Sequence, residues 1–361
     1  MINNPVHSDS SKPNWPATQP AVITHGLIKQ FPEDFVVVEH TGLEPSGEGE
    51  HLWLRLRKTG LSTQEAVKRL ANVSSVAQRD IGYAGLKDRH AVSEQWISLL
   101  WPMASEADWL KTLPDGMELI KQARHRRKLR KGALKGNHFE LTLRQVACAD
   151  KTAVEQRIQQ LSAEGFPNYF AEQRFGRDGA NVSKARAMFD RSMKVRHRFR
   201  RGLFLSAARS WIFNKVLAER VRQGNWNRAL PGEVCVLEGS RQYFKSQLND
   251  ADIETRIHST DIHPSGPLWG DAEPESSDEA YKLECRIATT ESELVAGLAA
   301  ARMDHDRRAL RVIPQDLSSE WLADDVLKLS FSLPAGAYAT ALLRELGAFE
   351  TANTEYPHAD G

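Results

Sequence analysis

Residues Gly82-Tyr83-Ala84-Gly85-Leu86-Lys87-Asp88-Arg89-His90-Ala91-Val92 crowd together groups able to do chemistry. Asp88 stands between two cations, Lys87 and Arg89. An acid so placed is, by itself, more often a surface ion pair or a turn former than a catalyst. Two other segments shift that weighting: Gly26-Leu27-Ile28-Lys29-Gln30-Phe31-Pro32-Glu33-Asp34-Phe35-Val36-Val37 and Lys128-Leu129-Arg130-Lys131-Gly132-Ala133-Leu134-Lys135-Gly136-Asn137-His138-Phe139. Each combines a basic residue, glycine or proline turns and an aromatic residue entering a strand. Other chemistries are poorly supported. Gly82–Asp88 lacks the spacing and the Ser/Thr of a phosphate-binding P-loop, and its GxxG is weak evidence for a KH module. Asp304-His305-Asp306 could ligate a metal, but adjacent residues on the helix expected there would diverge. No HExxH, GxSxG or zinc-type cysteine set occurs.

These residues need elements to hold them. Phe35–Val38 reads as a buried strand. His51–Arg57 alternates, with Leu52, Leu54 and Leu56 on one face and His51, Trp53, Arg55 and Arg57 on the other. Ser62 with Glu65 forms a capping box ahead of Ala66, Val67, Leu70 and Ala71, predicting a helix. Gly82–Val92 is a glycine-punctuated loop, Gln95–Leu100 a strand, and His138–Arg144 another, with Phe139, Leu141 and Leu143 on one face. The pattern turns helical from about Val154, and Ala207–Val221 is a helix with Trp211, Ile212, Lys215, Val216 and Ala218 along one side. Residues 231–290 are mixed and turn-rich. Phe331–Gly336 is a strand closing into a turn, before a helix bearing Leu342, Leu343 and Leu346. This order predicts an α+β fold interrupted by a second domain.

The chain of 361 residues is long for one core, which suggests two domains. The first twenty residues carry four prolines and read as a flexible lead-in. No run approaches the ~18 apolar residues of a membrane span, and the N-terminus has no signal-peptide pattern. Cys148, Cys235 and Cys285 lie far apart, arguing against a disulfide framework and for a reducing, cytoplasmic setting. Net charge is only +1, but the charges are segregated. Lys121, Arg124, Arg126, Arg127, Lys128, Arg130, Lys131 and Lys135 form one block without an acid. Lys184, Arg186, Arg191, Lys194, Arg196, Arg198, Arg200 and Arg201 form another, broken only by Asp190. Separated blocks can present a basic face to a polyanion, although either could instead be a solvated helical face.

Five blocks in order carry a family resemblance: the three segments above, Asn168-Tyr169-Phe170-Ala171-Glu172-Gln173-Arg174-Phe175-Gly176, and Phe331-Ser332-Leu333-Pro334-Ala335-Gly336-Ala337-Tyr338-Ala339-Thr340. From about residue 26 to residue 346 the chain resembles the TruD family of tRNA pseudouridine synthases, of which GLKDRxA is the signature. The resemblance implies a pseudouridine synthase catalytic domain with a central mixed, largely antiparallel sheet. It further implies a lead-in over 1–25, catalytic segments over 26–166 and 312–361, and a family-specific α+β insertion over 167–311. The expected reaction converts uridine 13 of tRNA to pseudouridine without a cofactor or metal. The expected partner is tRNA, with no membrane and no obligatory protein partner.

Isomerising uridine breaks the N1–C1′ bond, turns the base and joins C1′ to C5. A carboxylate can serve as nucleophile or base at the sugar or the pyrimidine, and the residues leave those routes open. By resemblance Asp88 matches the catalytic aspartate, and Lys29 the cation that keeps it ionised. Phe35, Asn137, Phe139 and Tyr338 match substrate-contacting positions, with tyrosine at Tyr338 where phenylalanine can stand in the family. Arg124, Arg126, Arg127, Lys128, Arg130, Arg196, Arg198, Arg200 and Arg201 are expected toward RNA, with Phe199 and Phe204 as aromatic neighbours. Two rival readings are a non-catalytic RNA-binding protein or RNA chaperone on the same scaffold, which has no need of Asp88, and a small-molecule hydrolase using Asp88 and His90, which leaves the basic blocks unexplained.

Overall fold

The structure, a computed structural model, describes residues 14–102, 108–246 and 251–352. Strands and helices are numbered along the chain. The first stretch holds β1 (His25–Ile28), β2 (Phe35–His40), β3 (His51–Thr59), α1 (Thr63–Ser74), β4 (Ile81–Tyr83), β5 (Val92–Leu100), β6 (Met117–His125), β7 (Gly136–Ala147) and α2 (Lys151–Glu164). The middle holds β8 (Phe166–Pro167), α3 (Ala180–Phe189), α4 (Arg198–Arg222), β9 (Val234–Leu237), β10 (Tyr243–Lys245), α5 (Ala251–His258), β11 (Ile262–Leu268), α6 (Asp278–Thr290), α7 (Ser292–Ala300), β12 (Asp306–Ala309) and β13 (Arg311–Val312). The end adds β14 (Gln315–Ala323), β15 (Val326–Pro334), α8 (Ala339–Arg344) and β16 (Glu350–Thr351).

The chain divides into two units. One comprises Ala21–Ala163, Pro314–Ala339 and the chain from Leu346; the other comprises Glu164–Ile313, Thr340–Glu345 and the chain up to Pro20. The first is built on a sheet ordered β14-β15-β7-β2-β5-β3-β6, with β1 on β7, β16 on β1 and β4 on β5. Its ladders are antiparallel except for the β2–β5 and β1–β16 pairs. Leu52, Leu54 and Leu56 of β3 pack with Ile97, Leu99 and the Ala66, Val67 and Leu70 side of α1. The opposite face of β3, which the alternation leaves to solvent, is covered as well. Trp53 is buried against Ala84, Trp96 and Leu129, and its Nε1 donates to the Arg127 carbonyl at 3.0 Å.

The second unit packs α3, α4, α6 and α7 with the sheet β10-β9-β11-β12. Helix α4 begins nine residues before the predicted Ala207 because its arginine-rich first turns are helical too. Two buried ion pairs stabilise this unit, Arg220–Glu233 and Arg307–Glu284, each at 2.7 Å. The Asp304-His305-Asp306 run is not helical: it leads out of a turn into β12. The lead-in differs from expectation at its end. Trp15 is buried and stacked on Tyr169 with centroids 5.9 Å apart, and Ile23 is fully buried, because both are large apolar groups with a core to enter. Residues 1–13 of the expected lead-in lie outside the described residues.

The predicted capping box is present: Ser62 Oγ accepts the Glu65 N–H at 3.2 Å, and the Glu65 carboxylate accepts the Ser62 N–H at 3.3 Å. It fixes the start of α1, where Thr63 is fully buried. Ser62→Ala should therefore lower the stability of the full chain by about 1 kcal/mol. The check is urea unfolding, in which the midpoint falls while the slope stays constant.

Candidate active site

One face of the sheet brings together residues far apart in sequence. In β2, Phe35, Val37 and Glu39 share that face by the two-residue period. Their neighbours in β7 are Leu141, Phe139 and Asn137, and β15 places Phe331 and Leu333 beside Phe139 and Asn137. The result is an aromatic row. The Phe35 ring meets Phe139 edge-on at 6.2 Å, and Phe139 stacks on Phe331 at 5.4 Å, a favourable arrangement for ring quadrupoles.

At the edge of this row stands Asp88. Lys29 Nζ pairs with its carboxylate. The same ammonium lies 4.3 Å from the centroid of the Phe35 ring, within cation–π reach. Burial raises the Asp88 pKa, but the Lys29 charge and hydrogen bond, with the His90 backbone N–H donating to Oδ1 at 3.2 Å, outweigh it. The net effect holds the carboxyl below its ordinary value, so it is ionised at neutral pH. About a third of the Asp88 side chain stays exposed, leaving it reachable from outside.

Lys29 reaches Asp88 through an unusual backbone. Its φ is +58°, in the left-handed region that costs a non-glycine residue roughly 1 kcal/mol or more. The next turn is anchored on the buried Asp34. Its carboxylate accepts the Phe31 N–H at 3.0 Å and pairs with Arg144 of β7 at 2.8 Å.

Beneath Asp88 lies a buried polar layer that sequence reasoning missed. Lys87 forms an ion pair with Glu39 at 2.8 Å, and both side chains are almost wholly buried. The Lys87 ammonium also donates to Asn137 Oδ1 at 2.8 Å, while its backbone N–H donates to Thr63 Oγ1 at 2.8 Å. Thr63 in turn donates to Gln95 Oε1 at 2.9 Å. Nearby, Lys58 is buried and donates to the Leu61 carbonyl at 2.6 Å. Burial, reinforced by the Lys87 charge, lowers its ammonium to about 8 against the pull of Asp88, Glu39 and Glu65. One signal was available: the two-residue period sets Glu39 on the apolar face of Phe35 and Val37, where an acid requires a buried cation.

Thus Lys29, Asp88, Phe35 and Phe139 come together, and Asn137 joins them through Lys87. Tyr338 follows the turn at Ala335–Gly336 off the end of β15, whose Leu333 and Pro334 pair with Asn137 and Gly136; its ring is half-buried. The basic candidates divide. Arg124 donates to the Trp101 carbonyl, Arg126 pairs with Glu48, and Lys128 donates to the Arg79 carbonyl. Arg127 and Arg130 are exposed. In the other unit Arg196, Arg198, Arg200 and Arg201 are exposed, as is Phe199, whereas Phe204 is buried in the core. Among the described residues no cluster of three or more His, Cys, Asp or Glu could hold a metal ion, and no helix is long and apolar enough to cross a membrane.

The sign of the Lys29 effect is testable. A depressed carboxylate pKa contributes stability above its unfolded value of about 3.8, and this is lost as pH falls through the lower folded value. In Lys29→Met only burial and the His90 contacts remain, so the Asp88 carboxyl should titrate at higher pH than in the wild type. Carboxyl-carbon NMR titration reads this directly; an unmoved midpoint would make the pairing incidental.

The resemblance to known proteins extends over most of the chain. A family model described as tRNA pseudouridine synthase D (TruD) matches residues 19–184 and 181–346. The tRNA pseudouridine synthase D of Xanthomonas euvesicatoria pv. vesicatoria is 45% identical over 348 residues, covering 92% of this chain and 94% of that protein. The Hydrogenovibrio crunogenus protein of the same name is 41% identical over 320 residues, covering 89% and 92%. A crystal structure assigned to tRNA pseudouridine synthase D from Methanosarcina mazei superposes with a TM-score of 0.71 at 20% identity, covering 96% of this chain and 98% of that one. That likeness is one of fold, and it agrees with the α+β architecture and large mixed sheet seen here. With this coverage and identity, the chain belongs to the TruD, or tRNA pseudouridine synthase D, family.

Proposed function

We propose that this chain is a tRNA pseudouridine synthase that isomerises uridine 13 of tRNA, with Asp88 as the carboxylate acting on a flipped-out uridine. The observation that carries this reading is the Lys29–Asp88 pair beside the Phe35 and Phe139 rings. The reaction breaks N1–C1′, forms C1′–C5, releases the C5 proton and returns a proton to N1, so it has no net oxidation or group transfer. Attack at C1′, attack at the base and removal of a sugar proton all demand an ionised carboxylate, and Lys29 keeps Asp88 in that form.

The other residues position the base. A uridine inside folded RNA must leave its stack before a side chain can reach it. The Phe35 and Phe139 edges, with the Tyr338 ring, offer apolar surface to receive it. Asn137 supplies the polar contact, and Lys87 sets its sense. An ammonium only donates, so Asn137 Oδ1 faces Lys87 and the Nδ2 hydrogens face elsewhere. Those donors suit a uracil carbonyl and oppose the exocyclic amino group of cytosine. The cations for the phosphates are Arg127 and Arg130 with Arg196, Arg198, Arg200 and Arg201, which are exposed and form no ion pair among the described residues.

Asp88→Ala and Asp88→Asn should lower tritium release from tRNA labelled at C5 of uridine by more than about a hundredfold, with fold and tRNA affinity retained. Mapping of the wild-type product should place pseudouridine at position 13. Turnover by Asp88→Ala near the wild-type rate would remove Asp88 from the chemistry, and a product elsewhere would overturn the site assignment.

A further inference from the structure

We propose that the basin between α3 and the start of α4 holds one unstacked nucleotide of the RNA substrate. The proposal rests on the RNA-directed reading above and assigns the inserted unit a binding site of its own. The basin has a volume of about 590 Å³, within the usual range of small-ligand clefts. Its lining includes the cations Lys184, Lys194, Arg196 and Arg200, with His197 and no acid. Its apolar part is Met193, Val195 and Leu203, backed by the buried Phe204.

Two features indicate the occupant. The first is uncompensated charge. Arg186, only two residues from Lys184, is paired with Glu291 and Glu293, and the buried arginines Arg220 and Arg307 each have a glutamate. None of the four basin cations forms an ion pair among the described residues. Like charges gathered on one concave surface repel, and an anion relieves that repulsion. The second is the mixed lining. A bare phosphate has no use for these apolar side chains, whereas a nucleotide places its phosphate on the cations and its base over the apolar wall. A paired nucleotide has its base faces covered by neighbouring pairs, so the occupant is unpaired. Arg198 and Arg201, though adjacent in sequence, do not line the basin.

The experiment measures binding by the full chain across salt concentrations. The probes are a labelled single-stranded pentauridylate, an abasic strand of equal length, a blunt RNA duplex and free AMP. Arg196→Ala/Arg200→Ala, both at exposed positions, should weaken pentauridylate binding about tenfold and flatten the log affinity versus log salt slope by about 1.4. Arg241→Ala/Lys282→Ala, two exposed cations elsewhere in the same unit, should leave both unchanged. Wild type should prefer pentauridylate over the other three probes. Unchanged affinity in the basin variant, or equal binding of the abasic strand, the duplex or AMP, overturns the proposal. Tritium release by the wild type separates the two readings. Basin variants that bind normally while Asp88→Ala is inactive remove the basin alone. A wild type that makes no pseudouridine, with binding still lost in the basin variant, removes the catalytic reading alone.

Discussion

The ion pair between Lys87 and Glu39 is the contact on which the rest of the candidate site depends. Both charges are withdrawn from water, so each is tolerable only while the other is present; breaking such a pair typically costs about 3–5 kcal/mol. Through it the signature loop is clamped to the middle of the sheet one residue before Asp88. Thr63 holds the Lys87 backbone from the helix side, and Gln95 holds Thr63 from β5. Asp88 therefore emerges from a fixed point, and its direction is not left to the loop.

A second constraint comes from the opposite side. Lys29 meets Asp88 because Lys29, the residue after β1, is left-handed and the chain then turns on the buried Asp34. The strain at Lys29 is offset by the Asp34–Arg144 pair and by the β1–β7 ladder, which tie the turn to the longest strand of the sheet. The aromatic row is supported by that same strand. Phe139 has Phe35 on one side and Phe331 on the other only because β7 lies between β2 and β15. Fold and site share these interactions, so a register slip along β7 would turn Asn137 and Phe139 away from Asp88.

Charge follows a different logic in each unit. In the sheet unit several cations of the first basic block are drawn onto the protein's own carbonyls and carboxylates. In the other unit the buried Arg220 and Arg307 are paired with glutamates, while Arg198, Arg200 and Arg201 at the start of α4 form no ion pair among the described residues. A net charge of +1 hides this division, which is what lets a nearly neutral protein present local positive surface.

Much of this was legible in the sequence. The alternation of His51–Arg57, the box at Ser62 and Glu65, and the apolar side of Ala207–Val221 are local patterns, and each formed the element it predicts because its neighbours in sequence are its neighbours in space. The five family blocks singled out Asp88, Lys29 and the aromatic positions as candidates, and the fold gathers Lys29, Asp88, Phe35 and Phe139. Local pattern could not show that Lys29 and Asp88, 59 residues apart, touch. Nor could it show that Glu39 closes on Lys87, or that Trp53 faces a second core. It gave no means of separating Arg126, paired with Glu48, from Arg196 on the wall of a basin. Those outcomes depend on strand order and register, which bring distant residues onto one face, and on which carboxylates the folded chain sets beside each cation. Local sequence is enough to set the elements and supply the chemical groups; the folded chain selects their partners, because burial makes an unpartnered charge too costly to leave to chance.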